Sequence, residues 1–441
     1  MNVHFLNLAH FRGFEQIDLT FEPDINVIAG ANGVGKSGIL HALATLFSRV
    51  LPEFTPSTAK QRSFTDEDVH YGKSSLEVSA IFTVADQQCH MVAQRVLGDS
   101  DKNGRWNQFW RRAQVEATAG KKLDFKALLA TRTLTGDLEA GKAETERVLR
   151  VLKERQQQPL VIYFSPGRQL PDRPRSLPKP APFEQKNAYP FALDERNVSL
   201  REFMHWFRWQ ELQASNGDKR SSRVLANLRE AVTRFVPEFR RLRIETKPAL
   251  RLVVEKNGTP LALNQLSDGE RGLMAIIFDI TRRLSIANLV SDDPLSHGEA
   301  IVMIDEIELH LHPKWQRQVL RRLRETFPRC QFIVTSHSPQ VLGEVEARCV
   351  SFLNREEQKI IPWSPPYSLG LDANRILEEQ MGVKVRNADI EKDLQGLFTM
   401  IDKDNLEAAR QRIKEMQEKL GEDAPELIRA RSLMDFLEGA E

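Results

Sequence analysis

Residues 30–37 read GANGVGKS, directly after the apolar run Ile25–Ala29. A buried strand opening through glycines into a helix is the setting in which this spacing cradles phosphates. The apolar-rich stretch Ile39–Phe47 supplies the helix. Glycines let the backbone curl until its N–H groups face phosphate oxygens, and the helix N-terminus adds the positive end of its dipole. Gly30, Asn32, Gly33, Val34 and Gly35 would form the curl, Lys36 would reach the outer phosphates, and the Ser37 hydroxyl would bind Mg2+. The segment predicts a site for a nucleoside triphosphate on an α/β fold.

A further apolar run and a third strand candidate fit the same sheet. Ala300–Ile304 (AIVMI) ends in Asp305 and Glu306, and Gln331–Thr335 leads into Ser336, His337, Ser338 and Pro339. Unbroken apolarity over five residues suits a strand covered on both faces, as in a parallel sheet. Carboxylates at its carboxyl end sit where such sheets bind ligands. Asp305 would hold Mg2+, and Glu306 would polarise the water that attacks the γ-phosphate. Between Glu306 and His337 there is room for one crossover helix, roughly Pro313 to Thr326, and a return strand. His337 then shares the sheet edge with the carboxylates and is expected at the γ-phosphate.

Leu266-Ser-Asp-Gly-Glu270 precedes an apolar helical face at Leu273, Ile276, Ile277, Ile280 and Leu284. Ser267 and Glu270 have the spacing of an ordinary capping box. The same physics, a serine, the Gly269 amide and a helix N-terminus, also makes an anion site.

Together, LSDGE, the opening FRGFEQIDLTFEPDINVIAGANGVGKS, IVMIDEIELHLHP and TSHSP resemble the ABC-type ATPase heads of the branch that includes RecF, SMC and OLD proteins. The resemblance covers roughly residues 1–95 and 240–355. It implies a P-loop head with a mixed or parallel central sheet and an N-terminal antiparallel β portion. It makes LSDGE the signature motif, the DE pair the Walker B site and His337 the switch histidine, and it places Arg12 near the nucleotide. In such heads the signature of one subunit closes over the nucleotide of another, so Ser267, Gly269 and Glu270 would act in trans and ATP would promote head-to-head association. This sequence departs from the pattern at the Q-loop, where Phe64–Val69 carries Asp66 and Asp68 in place of a glutamine.

The expected organisation is a head lobe over 1–95, a mainly helical insertion over 96–240, a second head lobe over 241–365 and a helical tail over 366–441. The insertion contains a charged helical stretch (Lys121–Gln158) interrupted by Gly136 and Gly141, a strand candidate at Leu160–Phe164, a Pro- and Arg-rich loop from Pro166 to Arg175, and helices at Ser199–Ala214 and Ser221–Phe235. No heptad pattern persists, so the reading excludes a long coiled-coil arm. Tail stripes Ile390/Leu394/Leu397/Phe398/Ile401, Leu406/Ala409/Ile413/Met416/Leu420 and Leu427 to Leu437 predict three short amphipathic helices.

Balance of charge, 62 Lys plus Arg against 61 Asp plus Glu, means that nucleic acid would have to be recruited by local patches. Trp106, Trp110, Arg111 and Arg112, and again Trp206, Arg208 and Trp209, mix aromatics with positive charge. Packing of Trp under snorkelling Arg explains the mixture better than a nucleic-acid surface does. Arg317, Arg321, Arg322 and Arg324 read as a solvated or oligomer-facing surface. Three scattered cysteines and the lack of a long apolar run predict a cytoplasmic protein with no membrane segment.

GLDANRILEEQMGV and the closing helices are similar to the PtuA-like ATPases of the Septu anti-phage group. That resemblance implies a homo-oligomer controlling a separate HNH nuclease, PtuB-like. Alternatives are a RecF-like repair ATPase working on DNA, or an OLD-like enzyme with its own nuclease. For the latter, Asp402 and Asp404 match DxD by letter only, and His310 and His312 near Glu308 belong to the Walker B continuation.

Overall fold

The computed structural model describes residues 1–85, 87–98, 105–112, 138–168, 170, 176–179, 181–195, 198–357, 359–384 and 386–438, and only the backbone of 105–112, 138–145 and 438. It divides into two compact units, Met1–Asp372 and Ala373–Glu441.

The first unit opens with the hairpin β1 (Asn2–Phe11) and β2 (Phe14–Thr20), then β3 (Ile25–Gly30) and α1 (Lys36–Phe54). Next come β4 (Ser75–Val84), β5 (Gln87–Val96), β6 (Arg105–Arg112), α2 (Leu138–Arg155) and β7 (Leu160–Phe164). Helices α3 (Leu200–Ser215) and α4 (Lys219–Phe235) follow, then β8 (Phe239–Glu245), β9 (Arg251–Lys256) and β10 (Thr259–Ala262). The unit closes with α5 (Asp268–Ala287), β11 (Ala300–Ile304), α6 (Val319–Thr326), β12 (Cys330–Ser336), β13 (Val350–Glu356) and β14 (Lys359–Trp363).

Three sheets result. A five-stranded sheet, β2-β1-β4-β5-β6, pairs antiparallel throughout. A three-stranded meander is ordered β10-β9-β8. The six-stranded central sheet runs β14-β13-β3-β12-β11-β7, with only β14 antiparallel. Every residue of β3, β7, β11 and β12 is buried, as the apolar runs of β7 and β11 demand, and the polar Asn26 of β3 and Gln331 of β12 are hydrogen-bonded. Gln331 ties the two large sheets together: its amide donates to the Val3 and Glu22 carbonyls and accepts from the Val3 N–H.

The segment read as an insertion is therefore woven into the head, because β7 forms an edge of the central sheet. Helix α2 runs through Gly141, although glycine inside a helix costs about 1 kcal/mol relative to alanine; residues 121–137 lie outside the described residues. The single crossover helix expected over Pro313–Thr326 is instead two pieces, Pro313–Gln316 and α6. An i to i−3 bond from the Gln318 N–H to the Trp315 carbonyl tightens the junction.

In the second unit, α7 (Ala388–Asp402), α8 (Leu406–Leu420) and α9 (Pro425–Glu438) bury the three predicted stripes against one another, around Leu397, Ile413 and Leu427. Asp402 ends α7 and Asp404 lies in the turn before α8, so neither sits on a strand as a DxD metal site requires.

Candidate functional site

Because β3, β12, β11 and β7 are mutually parallel, their carboxyl ends share one edge. There the chain leaves β3 through the glycine-rich loop. Gly35 adopts φ 93°, and a Cβ at this position would lie 2.6 Å from the Phe14 ring, so the turn needs glycine twice over. Val34 is packed into the core while Ala31, Asn32, Gly33 and Ser37 are exposed. Lys36 folds back along the loop, its ammonium 2.8 Å from the Gly30 carbonyl and 2.9 Å from that of Ala31. Burial pulls this ammonium below the ordinary lysine range, against the opposing charges of Glu308, Asp305 and Glu306. The loop and the acidic turn thus feel each other electrostatically.

That turn is stitched down on both sides. The Asp305 N–H donates to the Phe164 carbonyl of β7 (2.9 Å) and the Ile307 N–H to the Thr335 carbonyl of β12 (3.1 Å). The Thr335 hydroxyl donates to the Asp305 carboxylate and accepts from the Glu306 N–H at 2.7 Å. Glu306 itself sits at φ 48°. A left-handed conformation costs a non-glycine residue about 1–3 kcal/mol and persists only where its surroundings impose it. The Glu306 carboxylate has no hydrogen-bond partner among the described residues.

His337 follows β12 at the same edge. One carboxylate oxygen of Glu308 takes both its backbone N–H (2.6 Å) and its ring Nδ1 (3.0 Å). A carboxylate only accepts, so Nδ1 carries the proton and Nε2 is left to face outward from a half-exposed ring. Glu308 is buried, and its other oxygen has no partner among the described residues. His312 instead caps its own short helix by accepting the Lys314 N–H, so His310, His312 and Glu308 do not converge as a metal site.

Arg12 lies in the tight β1–β2 turn at φ 48°. Its Nε donates to Asp68 at 2.8 Å, and its guanidinium approaches the His41 ring at 3.3 Å. Burial, with the charges of Arg62 and Arg12, pushes His41 down to about 4, so Arg12 meets a neutral imidazole. The second oxygen of Asp68 accepts the Thr65 N–H and hydroxyl, and Asp66 pairs with Arg95. The acidic residues standing where a Q-loop glutamine was expected are therefore occupied in orienting Arg12 and Arg95.

The LSDGE turn starts α5 as a reciprocal capping box: the Ser267 hydroxyl accepts the Glu270 N–H, and Glu270 accepts the Ser267 N–H and hydroxyl, each at 2.9 Å. Lys256 closes on the other Glu270 oxygen at 2.6 Å. Glu270, expected at the nucleotide, is turned into its own subunit, whereas Ser267 and Asp268 are exposed. A Cβ on Gly269 would lie 2.3 Å from the His310 carbonyl, so the turn packs directly on the chain leaving the Walker B segment.

Three supporting residues escaped the sequence reading: Thr335, Glu308 and Arg168. Arg168, just after β7, is buried and donates to the carbonyls of Asp305 (2.5 Å), Glu306 (2.7 Å) and Ile307 (3.3 Å). Burial lowers its guanidinium to about 10 against the raising influence of Glu308, Asp305 and Glu306. No local pattern marks it, because its partners lie far away in the chain. Of the Trp/Arg mixtures, Trp206 is core, packed on Phe203, while the side chains of Trp106, Trp110, Arg111 and Arg112 lie outside the described residues. Arg322 bonds the Phe235 carbonyl and Gln318, and Arg324 pairs with Asp24, while Arg317 and Arg321 are exposed.

Strand order and edge chemistry together define a P-loop nucleotide-binding head of the ABC type. The chain belongs to the AAA domain family, whose model its residues 6–235 match; residues 147–343 match a second model, described as AAA domain, putative AbiEii toxin, Type IV TA system. It is similar to the retron Ec83 probable ATPase of Escherichia coli, 43% identical over 138 residues, which cover 31% of this chain and 25% of that protein. It is also similar to the retron Vc95 probable ATPase of Vibrio cholerae serotype O1 biovar El Tor, 38% identical over 167 residues, 37% of this chain and 32% of the other. A more extended likeness is to the Septu protein PtuA of Bacillus thuringiensis, 21% identical over 345 residues, 76% of this chain and 72% of the relative. The matches thus span only about a quarter to a third of the two retron proteins. No helix among the described residues is long and apolar enough to cross a membrane.

Proposed function

We propose that this chain binds and hydrolyses ATP, that ATP drives head-to-head association of two or more copies, and that the associated state regulates a partner HNH nuclease in bacterial anti-phage defence. The observation that carries the catalytic part is Glu306: a carboxylate without a hydrogen-bond partner among the described residues, held in a left-handed turn between the Lys36 loop and His337. Lys36 would pair with the outer phosphates, Arg12 would add charge beside them, and Glu306 would orient the attacking water. His337, anchored by Glu308, would meet the γ-phosphate. Ser37 and Asp305 offer the hard oxygen donors that Mg2+ takes, and the ion would neutralise phosphate charge. The exposed Ser267 and the α5 N-terminus would close the pocket from the neighbouring copy. The defence role rests on the likeness to the retron and Septu proteins and is the part furthest from the geometry.

Glu306→Gln tests the site. The variant is expected to bind ATP as the wild type does and to lose roughly 100-fold or more of its turnover. Undiminished hydrolysis removes Glu306 from this role. For the partner, co-expression with the neighbouring gene product should yield a complex with an HNH protein; its absence overturns the nuclease reading and leaves the ATPase intact.

A further inference from the structure

We infer that Arg168 is a positioning residue for the hydrolytic step, setting the backbone turn that aims Glu306; the inference rests on the ATPase reading above. Arg168 reaches the Walker B turn from the far edge of the sheet. Its Nη1 bonds the Asp305 carbonyl at 2.5 Å and the Ser165 carbonyl at 3.4 Å, while Nη2 bonds Glu306 at 2.7 Å and Ile307 at 3.3 Å. Three consecutive carbonyls converge on one guanidinium. They do so where the chain leaves β11 and passes through φ 48° at Glu306.

A planar fork spreads its donors over separate nitrogens and so spans three consecutive carbonyls, whereas an ammonium would have to gather all three at a single nitrogen. The side chain is 5% exposed and its Nη donors are spent on backbone oxygens, so it does not serve as a free cation at the phosphates. Its loop is anchored too, by the Arg168 N–H on the Ser165 carbonyl at 3.1 Å. Burying a charge against neutral carbonyls instead of a bonded carboxylate is a poor way to gain stability. The arrangement makes sense if the return is geometric: the turn stays in its left-handed form with the Glu306 side chain free.

The test uses the full chain with Arg168→Lys and Arg168→Gln. Each is expected to bind a fluorescent ATP analogue with Mg2+ within about threefold of wild type, while kcat falls roughly 10- to 100-fold in the glutamine variant and less in the lysine variant, with KM little changed. Wild-type kcat in both variants overturns the inference. So does a parallel loss of ATP binding, kcat and thermal midpoint, the mark of a merely structural residue. Should Arg168→Gln fail to fold, the lysine variant decides alone, a wild-type kcat being fatal. A wild-type chain that hydrolyses no ATP overturns this inference and the proposed function together; an active wild type with unaffected variants overturns only this inference.

Discussion

In the proposed ATPase the nucleotide edge and the LSDGE turn would both meet an anion, yet they are finished differently. At the edge, the residues expected to act are left open, with Ser37 exposed and the Glu306 carboxylate without a partner among the described residues. Behind them Thr335, Glu308 and Arg168 are buried, Thr335 and Arg168 bonded to the turn and Glu308 to His337. The turn shows the opposite economy. Ser267 and Glu270 satisfy each other and Lys256 completes the set, so within one subunit the motif is a closed helix cap. A half-site that works on its own chain's nucleotide needs a supporting layer that leaves its reactive atoms free. A half-site completed only in an assembly has to be stable alone, and the capping box provides that. Ser267 still stands at the surface over the α5 N-terminus, where the helix dipole favours an anion whether or not its hydroxyl is engaged.

Two substitutions sharpen this contrast, beginning with the larger effect. Glu308→Gln removes the anionic anchor of His337 without touching the phosphate loop. Steady-state kinetics should show kcat lowered roughly 10- to 100-fold with ATP affinity nearly unchanged. Equal losses in binding and turnover would mean that Glu308 supports the whole edge and not the histidine. At the turn, the expected effect is on stability. Burial favours the neutral acid at Glu270, but the hydrogen bonds from Lys256 and from the Ser267 amide and hydroxyl outweigh it, leaving the carboxyl below its usual range. A lowered value contributes stability that is present above the unfolded-state value and disappears as pH falls through the folded one. Glu270→Gln should therefore cost about 1 kcal/mol at neutral pH in denaturant titrations, and its difference from wild type should vanish under acid conditions below the carboxylate range. A difference that persists there would assign the cost to packing.

How much of this was readable in the chain follows from the range of the interactions involved. The phosphate loop, β11 and β12 announce themselves because a fully buried strand must be apolar throughout and its polar residues collect at one end. The tail helices were legible through their stripes, and the capping box through a three-residue spacing. Arg168, Thr335 and Glu308 were not, since each matters through a partner brought near only by the parallel register of β7, β11 and β12. Asp68 misled for a related reason. The sequence set it, with Asp66, only where a Q-loop glutamine was expected, whereas folding places it beside Arg12 in a hairpin turn that no local pattern connects to it. The Leu160–Phe164 strand was visible as a strand, but not as an edge of the central sheet, because sheet membership is decided by a long-range pairing with β11.

The claim on which the account turns is that the pocket is composite, with the signature turn of one copy closing over ATP held by another. Light scattering of the Glu306→Gln chain, with and without ATP and Mg2+, measures this directly. The account predicts a multiple of the chain mass only when nucleotide is present, and a return to the unassociated mass, with ATP still bound, when Ser267→Arg is added. A Glu306→Gln chain that binds ATP without any change in mass, or one that associates equally well with Ser267→Arg, would contradict it.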